Sequence, residues 1–329
     1  MRRALPMNQS MRVAVHDRYG PPDVLHISTA PRPAPGSGQV LVRVRASTVN
    51  GGEVIGRQGR LKLITGRRFP RQIGIDFSGE IVALGADVSK FEIGDAVWGA
   101  VDERGDAGAA AEYVAVDVTQ LSLAPAHLTP IEASTLLAGG NTALVALRDT
   151  VSLAPGERVL IRGAAGGVGS VAVQVAKMLG AHVTGLASLA TADFVRSLGA
   201  DEVVDYNTPP DELGDFDVVF DTRGTRLRDF RRHLARGGRM ITIAFDIDRP
   251  VRSLGYIAFS VIHASRRVRL FLGHPNGVLF ATLAQAADAG HLKPVVDSVF
   301  PLERIAEAHA RLERGGVRGK VVIDVGEPR

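Results

Sequence analysis

The chain has 329 residues, a length that suggests two domains at roughly 100–200 residues per domain. Hydrophobic residues make up 45% and charged residues 22%, the balance of a folded globular protein rather than of a disordered chain. The net charge is only +4, so neither a nucleic acid nor a membrane partner is expected. There is no cysteine, which excludes disulfides, thiolate catalysis and every zinc site with cysteine ligands.

The sequence predicts neither a metal site nor a targeting segment. The nine histidines form no HExxH motif and no other close pair, so no metal site is predicted. No run approaches the ~18 consecutive apolar residues of a membrane span. Residues 1–10 carry Arg2 and Arg3 but no apolar core of a signal peptide, and we interpret them as an extension before a first strand at Met11. We therefore expect a cytoplasmic enzyme.

Short strands dominate the first third of the chain. Residues 40–46 alternate apolar and basic side chains, as a half-buried antiparallel strand does, and they follow a stretch rich in proline and glycine. Residues 79–85 and 111–116 have the same character. These patterns predict an all-β module over roughly 12–120.

From Glu157 onward, apolar strand-like runs alternate with helical segments. Such alternation predicts βαβ units and a parallel sheet. The predicted strands are 158–162, 183–187, 203–205, 217–221, 239–245 and 268–272, with helices at 170–179 and 193–198. A helix near 303–313 and a strand at 317–325 then return the chain to the β module.

The turn between the strand at 158–162 and the following helix is rich in glycine. Gly163, Gly166 and Gly169 recur every third residue, although not in the usual GxGxxG order. A glycine turn between a strand and a helix lets backbone N–H groups and the positive helix terminus face a pyrophosphate. A flexible loop is the structural alternative, and the position between strand and helix favours nucleotide binding.

The end of the next strand, at Ala187 and Ser188, is where NAD-binding folds usually place an acidic residue for the ribose hydroxyls. From Ser170 through Ala192 there is no acidic residue that would repel a 2′-phosphate. The sequence therefore favours NADPH over NADH, although Leu189 and Ala190 supply no positive partner for the phosphate.

Several sequence blocks, spread over nearly the whole chain, resemble the medium-chain dehydrogenase/reductase superfamily. The blocks are ASTVN at 46–50, GIDFSG at 74–79 with Gly85, FEIGDAV at 91–97, RGAAGGVG at 162–169 with QVAK at 174–177, SLGAD at 197–201 with VDY at 204–206, and RGKVV at 318–322. They resemble most its zinc-independent NADPH:quinone oxidoreductase branch, which includes zeta-crystallin. The zinc enzymes of the superfamily use cysteine ligands that this chain lacks.

The resemblance implies an α/β fold with two domains. A GroES-like β domain is expected at 12–127 and 290–329, and a Rossmann domain with a doubly wound parallel sheet at 128–289. The cofactor is expected to be NADPH. A homodimer is expected to form through the edge of the strand at 268–272, since relatives commonly pair that strand and an exposed apolar edge needs cover.

The resemblance also assigns site residues. Asn50 and Thr142 are the catalytic candidates beside the nicotinamide, Ser188 and Tyr206 lie near the adenosine phosphate, and Lys320 lies close to the cofactor. The cofactor-binding candidates are Asn50, Thr142, Gly163, Ala165, Gly166, Gly167, Val168, Gly169, Ser188, Tyr206, Ala244, Phe271, Leu272 and Lys320. Structural alternatives remain open: Asn50 could cap a turn, Thr142 could be a helix hydroxyl, Tyr206 a surface ring and Lys320 a solvated strand residue.

One departure from the family limits the chemistry. Many quinone and enoyl reductases of this branch have a tyrosine proton donor where this chain has Ile55. The predicted reaction is hydride transfer from NADPH to a quinone or an activated C=C bond of an α,β-unsaturated carbonyl, without zinc and with solvent as the proton source. Such acceptors delocalise the incoming charge, so that a strong Lewis acid is not needed.

Two alternative functions remain open at this point. A cluster of basic residues follows Asn50: Arg57, Arg60, Lys62, Arg67, Arg68 and Arg71. It could be a solvated loop, or it could attract an anionic substrate, which would favour an enoyl-thioester reductase of a polyketide-type pathway. The second alternative is a dinucleotide-binding protein with little turnover that senses redox state or binds RNA.

Overall fold

The computed structural model describes residues 10–62, 66, 68–102, 107–271 and 273–326 of the chain. The strands are β1 Ser10–His16, β2 Leu25–Pro31, β3 Gln39–Thr48, β4 Arg71–Gln72, β5 Asp76–Leu84, β6 Ala96–Ala100, β7 Tyr113–Asp117, β8 Leu121–Leu123, β9 Arg158–Arg162, β10 His182–Ala187, β11 Glu202–Asp205, β12 Phe216–Asp221, β13 Leu234–Thr242, β14 Val268–Leu270, β15 Val296–Pro301 and β16 Lys320–Asp324. The α-helices are α1 Gly51–Arg57, α2 Pro130–Ser134, α3 Leu137–Ala143, α4 Gly169–Met178, α5 Ala192–Ser197, α6 Leu227–Arg232, α7 Pro250–Phe259, α8 Gly277–Asp288 and α9 Ile305–Glu313. A π-helical segment, Leu144–Thr150, continues α3.

The first compact unit contains the described residues up to Leu137, Pro275–Asp288 and those from Pro294 onward. Its main sheet has the order β15-β16-β3-β5-β6-β8, with β7 also paired to β3, and a small sheet has the order β2-β1-β4. Strand β3 is antiparallel to β5, β7 and β16. The pairing of β16 with β3 joins the end of the chain to its beginning, because Val322 faces Thr48.

A buried apolar core holds the first unit together. It is formed by alternate side chains of the main sheet, among them Val42, Phe77 and Val97, which have no solvent-exposed surface. Trp98 is also fully buried, and its indole N–H donates to the Ser122 hydroxyl at 2.9 Å, which satisfies the polar atom inside the core.

The second unit contains Ala138–His274 and Ala289–Lys293. Its six strands are all parallel and have the order β11-β10-β9-β12-β13-β14. Counted from β9 this is the order 3-2-1-4-5-6 of a doubly wound Rossmann sheet, in which the strand order reverses between β9 and β12. Ligands of such sheets bind at the carboxyl ends of the strands beside that reversal.

The predicted fold class, a GroES-like β module with a Rossmann parallel sheet, is confirmed. The bounds of β9 agree with the prediction residue for residue. Strand β13 ends three residues earlier than expected, where the backbone N–H of Ala244 donates to the Thr242 hydroxyl at 3.3 Å instead of continuing the strand pairing. Strand β14 ends at Leu270 rather than 272. No helix of the described residues has the length and apolar character to cross a membrane.

Candidate functional site

A cluster of polar side chains surrounds Asn50 in the first unit. Asn50 precedes α1, and its backbone N–H donates to the Glu53 carboxylate at 2.8 Å. Its side-chain Nδ2 faces the carbonyl of Thr48 at 3.3 Å and the Asp76 carboxylate at 3.4 Å. Its Oδ1 accepts a hydrogen bond from Nζ of Lys320. Asn50 therefore stands at the N-cap of a helix rather than capping only a turn, and its amide is oriented by three other residues.

The charges of this cluster are removed from solvent. Lys320 is 4% exposed and Asp76 is 1% exposed, so the alternative that Lys320 is a solvated strand residue is wrong. Burial lowers the pKa of Lys320, against the opposing pull of the Asp76 and Glu53 carboxylates. Burial, with the negative charge of Asp76 nearby, raises the pKa of Glu53 to about 7. One ammonium thus lies beside two carboxylates, and Glu53 takes up a proton more readily than an ordinary glutamate does.

Sequence reasoning missed Glu53 and Asp76 as members of this cluster. Asp76 accepts hydrogen bonds from the backbone N–H of Thr48 at 2.8 Å and from the Thr48 hydroxyl at 2.7 Å. Glu53 also accepts from the N–H of Gly74 at 2.6 Å. The spacing of Asn50 and Glu53 is that of a helix capping box, a signal that could have identified the second residue.

In the second unit, the glycine turn joins β9 to α4 at the carboxyl edge of the sheet. Gly163 has a φ of +75°, a conformation that side chains rarely allow. A Cβ on Gly169 would lie 2.0 Å from the carbonyl oxygen of Gly163, so the turn closes tightly there. A Cβ on Gly166 would meet no atom nearer than 3.5 Å, so the fold itself leaves room beside that residue.

The same turn offers backbone donors to an anion. Within the described residues, the N–H groups of Ala165, Gly167 and Val168 have no hydrogen-bond acceptor, whereas the N–H of Gly166 donates to the Gly163 carbonyl. All three residues are half-buried, at the start of a helix whose first turn contains no acidic residue. Unpaired donors at a helix N-terminus fit the pyrophosphate of a dinucleotide.

The end of β10 brings together two predicted residues and one that was missed. Ser188 follows the strand directly, with its hydroxyl 3.0 Å from that of Thr191. The backbone N–H of Tyr206 donates to the carbonyl of Ala187 at 2.9 Å, while its ring is 57% exposed. Asp205, at the end of β11, accepts the N–H of Leu189 at 3.2 Å. A carboxylate therefore stands beside the end of β10, although residues 170–192 contain no acidic residue.

A buried ion pair lies at the carboxyl ends of β9 and β12. Arg162 pairs with the fully buried Asp221, and its guanidinium lies 3.7 Å from the ring centroid of Phe230. Asp221 also accepts the N–H of Gly224 and the hydroxyl of Thr242, both at 2.7 Å. This network fixes the strand end directly before the glycine turn.

The other predicted residues of the second unit have varied surroundings. The Thr142 hydroxyl donates to the carbonyl of Ala138 within α3, at 2.7 Å. One helical turn earlier, a Cβ on Gly139 would lie 2.5 Å from the carbonyl of Gly167, so α3 approaches the glycine turn closely. Ala244 and Phe271 follow β13 and β14 and are half-buried. Leu272 lies outside the described residues.

The basic residues after Asn50 do not form one solvated loop. Arg57 is 1% exposed, pairs with Glu313 and donates to the carbonyl of Gly20 at 2.6 Å, so it belongs to the interior. Arg60, Lys62 and Arg68 are exposed. Arg71 is half-buried, and Arg67 lies outside the described residues.

Comparisons with known proteins agree with this architecture. Residues 36–126 match the family described as "Alcohol dehydrogenase GroES-like domain", and residues 198–323 match that described as "Zinc-binding dehydrogenase". The chain is 33% identical, over 361 aligned positions, to the human protein "NAD(P)H oxidoreductase RTN4IP1, mitochondrial", with 97% of this chain and 90% of that protein covered. The chain belongs to the medium-chain dehydrogenase/reductase superfamily, in its zinc-independent quinone oxidoreductase branch.

Solved structures of the superfamily share the fold along the whole chain. The quinone oxidoreductase from Coxiella burnetii superposes with a TM-score of 0.86 at 28% identity, covering 97% of this chain and all of that one. The CurK enoyl reductase superposes with a TM-score of 0.81 at 25% identity, covering 96% and 99%. As a member of this branch, the protein is an NAD(P)H-dependent oxidoreductase.

Proposed function

We propose that the protein transfers a hydride from NADPH to a quinone or to the activated C=C bond of an α,β-unsaturated carbonyl, without zinc. The observation that carries the proposal is the Asn50 amide, held by Asp76 and Lys320 in a chain that has no cysteine. When bound, the reduced nicotinamide supplies the hydride. We assign to Asn50 the positioning of the acceptor, and to the backbone donors of the glycine turn the positioning of the cofactor.

The type of acceptor follows from the groups present. An unactivated ketone concentrates the developing negative charge on one oxygen and needs a strong electrophile. A quinone or an enone spreads that charge over its conjugated system, so an amide and a nearby cation suffice. The Asn50 cluster supplies groups of that kind.

For the cofactor, the choice of NADPH rests on the end of β10. Ser188 stands there in place of an acidic residue. The nearby Asp205 carboxylate is engaged by the backbone N–H groups of Leu189 at 3.2 Å and Asn207 at 2.7 Å. Both of its oxygens are thereby engaged by backbone donors, which leaves the Ser188 hydroxyl available to a 2′-phosphate.

A second candidate is an enoyl-thioester reductase. The similarity to the CurK enoyl reductase favours it, and so do the exposed cations Arg60, Lys62 and Arg68, which suit an anionic carrier. A dinucleotide sensor with little turnover is the third. An assay of NADPH oxidation with a quinone, an enone and an enoyl thioester, run in parallel with NADH, separates the three.

Metal independence gives the sharpest test of the proposed chemistry. Prolonged treatment with EDTA or phenanthroline should leave turnover of the quinone intact. Loss of activity on chelation, restored by added zinc, would overturn the proposal. Within the part of the chain that the structure describes, no three histidine or acidic side chains gather as a metal ion would require.

We further propose a homodimer that forms through β14. This strand is at the end of the six-stranded order and pairs only with β13 among the described residues, so its other edge is open to a second copy. Light scattering at several concentrations should give twice the mass of the chain. The cytoplasmic location stays a prediction, and the human relative is named as mitochondrial.

A further inference from the structure

Lys320 is a buried ammonium with unused hydrogen-bonding capacity. It is 4% exposed, and within the described residues its Nζ donates to a single acceptor, Oδ1 of Asn50. An ammonium has three N–H donors, and leaving donors of a buried charge unpaired is costly. A second acceptor, brought by a ligand, would complete its coordination.

The neighbours of Lys320 are less well placed to donate a proton to a ligand. The Asn50 amide does not ionise at any ordinary pH. Asp76 serves as an acceptor, for two donors of Thr48 and for Asn50. Glu53 uses both carboxylate oxygens to accept backbone N–H groups, those of Asn50 and Gly74, so its carboxyl group faces the backbone.

We propose that Lys320 is the catalytic proton donor of the reduction and binds the carbonyl oxygen of the quinone or enone. This inference rests on the proposed function. Hydride addition leaves an electron pair and one negative charge on the substrate oxygen, as a hydroquinone anion or an enolate. An N–H bond of the Lys320 ammonium then breaks and an O–H bond forms, which gives the hydroquinone or the enol; the enol tautomerises to the saturated carbonyl by proton exchange with water. The resulting neutral amine recovers its proton from water.

The electrostatics of the cluster suit this role. Burial lowers the pKa of Lys320, which makes its proton easier to release than that of an exposed lysine. Asp76 and Glu53 oppose that effect, because their negative charges favour the ammonium form. Lys320 would thus replace both the phenol that is missing at Ile55 and the solvent that the sequence alone suggests.

Three variants test the proposal. Lys320→Met removes the positive charge and keeps a side chain of similar length. Lys320→Arg keeps a positive charge on a group that does not release its proton at ordinary pH. Lys90→Met, which removes an exposed lysine elsewhere, is the control. We expect Lys320→Met to lower kcat with a quinone by roughly 100-fold and to abolish the fall in kcat at alkaline pH. The control should keep the rate and pH profile of the unmodified enzyme.

A second measurement does not depend on turnover. p-Nitrophenol changes colour on ionisation and imitates the anionic oxygen, so the unmodified protein should lower the pKa of the bound phenol. Lys320→Met should lose this shift, and Lys320→Arg should keep it without recovering kcat, because arginine does not release its proton. In the unmodified enzyme, NMR of lysine labelled with carbon-13 should show one resonance that titrates with the alkaline limb of kcat.

The outcomes separate this inference from the proposed function. Unchanged kcat and an unchanged pH profile in a folded Lys320→Met variant would overturn the assignment of Lys320. If that variant fails to fold, a lysine resonance that does not follow the alkaline limb would overturn it. A protein that reduces none of the acceptors but still shifts the bound phenol would overturn the proposed function, while supporting the oxyanion site at Lys320.

Discussion

The Asn50 cluster and the glycine turn are built by opposite means. In the first unit, charged and amide side chains from β5, α1, β16 and the residue before α1 lie together, buried or half-buried, and are joined by hydrogen bonds. In the second unit, the turn presents backbone N–H groups, and its residues are small. Binding to backbone donors should be lost when a side chain is added at the turn. Function of the side-chain cluster should be impaired when one of its charges is removed.

On the proposed function, this contrast follows from what each region would bind. A pyrophosphate carries full negative charges from the outset, and fixed backbone dipoles match them without any change of protonation. A carbonyl becomes negative only during reduction, and groups with adjustable charge match it best. The following predictions test whether the two regions respond differently, beginning with the largest effect.

The largest effect is expected at Gly169. Gly169→Val places side-chain atoms against the Gly163 carbonyl, where even a Cβ would lie at 2.0 Å, and should destabilise the fold by more than about 3 kcal/mol. Gly166→Val has room within the fold and should lose only NADPH binding. Thermal unfolding and titration calorimetry measure the two properties. Normal affinity in Gly166→Val would show that the turn does not hold the pyrophosphate.

These two glycines also show what the sequence can reveal. The turn lies between β9 and α4, all within about twenty residues, so local pattern alone predicted it. The Asn50 cluster joins residues that are as many as 270 positions apart. Only the antiparallel pairing of β16 with β3 brings Lys320 to Asn50, and no local pattern encodes that pairing.

Arg57 also shows that local sequence does not reveal contacts between distant residues. The sequence presents it as one of six basic residues near Asn50. The structure buries it against Glu313, which is 256 positions away. Composition therefore predicted the charge of this segment correctly, but not which of its cations face solvent.

The Arg162–Asp221 ion pair should give the next largest effect. Arg162→Met leaves Asp221 buried without its cation and should cost about 3–5 kcal/mol of stability. Adding Asp221→Asn removes the stranded charge and should recover part of that loss. Denaturant unfolding of the two variants measures both steps. Equal unfolding free energies of the single and the double variant would mean that the Asp221 charge costs nothing when Arg162 is absent.

Buried ionisable groups should make the first unit sensitive to pH. Burial, assisted by the positive charges of Arg57 and His16, lowers the pKa of His309 to about 3. Unfolding then takes up a proton below pH 6.5, so stability is fully present above that pH and falls as the pH drops towards 3. The loss should reach about 2 kcal/mol at pH 5.

Glu53 acts in the opposite direction. Its pKa is raised to about 7 from 4.5, so its contribution to stability is present below pH 4.5 and is lost as the pH rises towards 7. His309→Gln should therefore leave a stability that declines from pH 4.5 to 7, and Glu53→Gln one that rises up to pH 6.5. Urea unfolding across this range separates the two slopes, and identical profiles in both variants would contradict the assignment.

Asn50→Ala should lower activity rather than abolish it. Loss of one oriented amide is expected to reduce kcat/KM by roughly 5–150-fold, equivalent to ~1–3 kcal/mol of transition-state free energy. Gln58→Ala, an exposed amide after the same helix, is the matched control. Equal kcat/KM in the two variants would remove Asn50 from the site.

The smallest effect is expected at the end of β10, where we propose that cofactor preference is set. Ser188→Asp places a carboxylate where a 2′-phosphate is expected, and should shift the NADPH/NADH ratio of kcat/KM towards NADH by ~10-fold, or about 1.4 kcal/mol. Asp205→Asn removes the negative charge of the carboxylate that accepts the Leu189 N–H, and should shift the ratio towards NADPH by a smaller factor. Glu202→Gln, at the opposite end of β11 from Asp205, is the control for the change in net charge. Opposite shifts at Ser188 and Asp205 would show that side-chain charge, and not the backbone turn alone, selects the cofactor in the second unit.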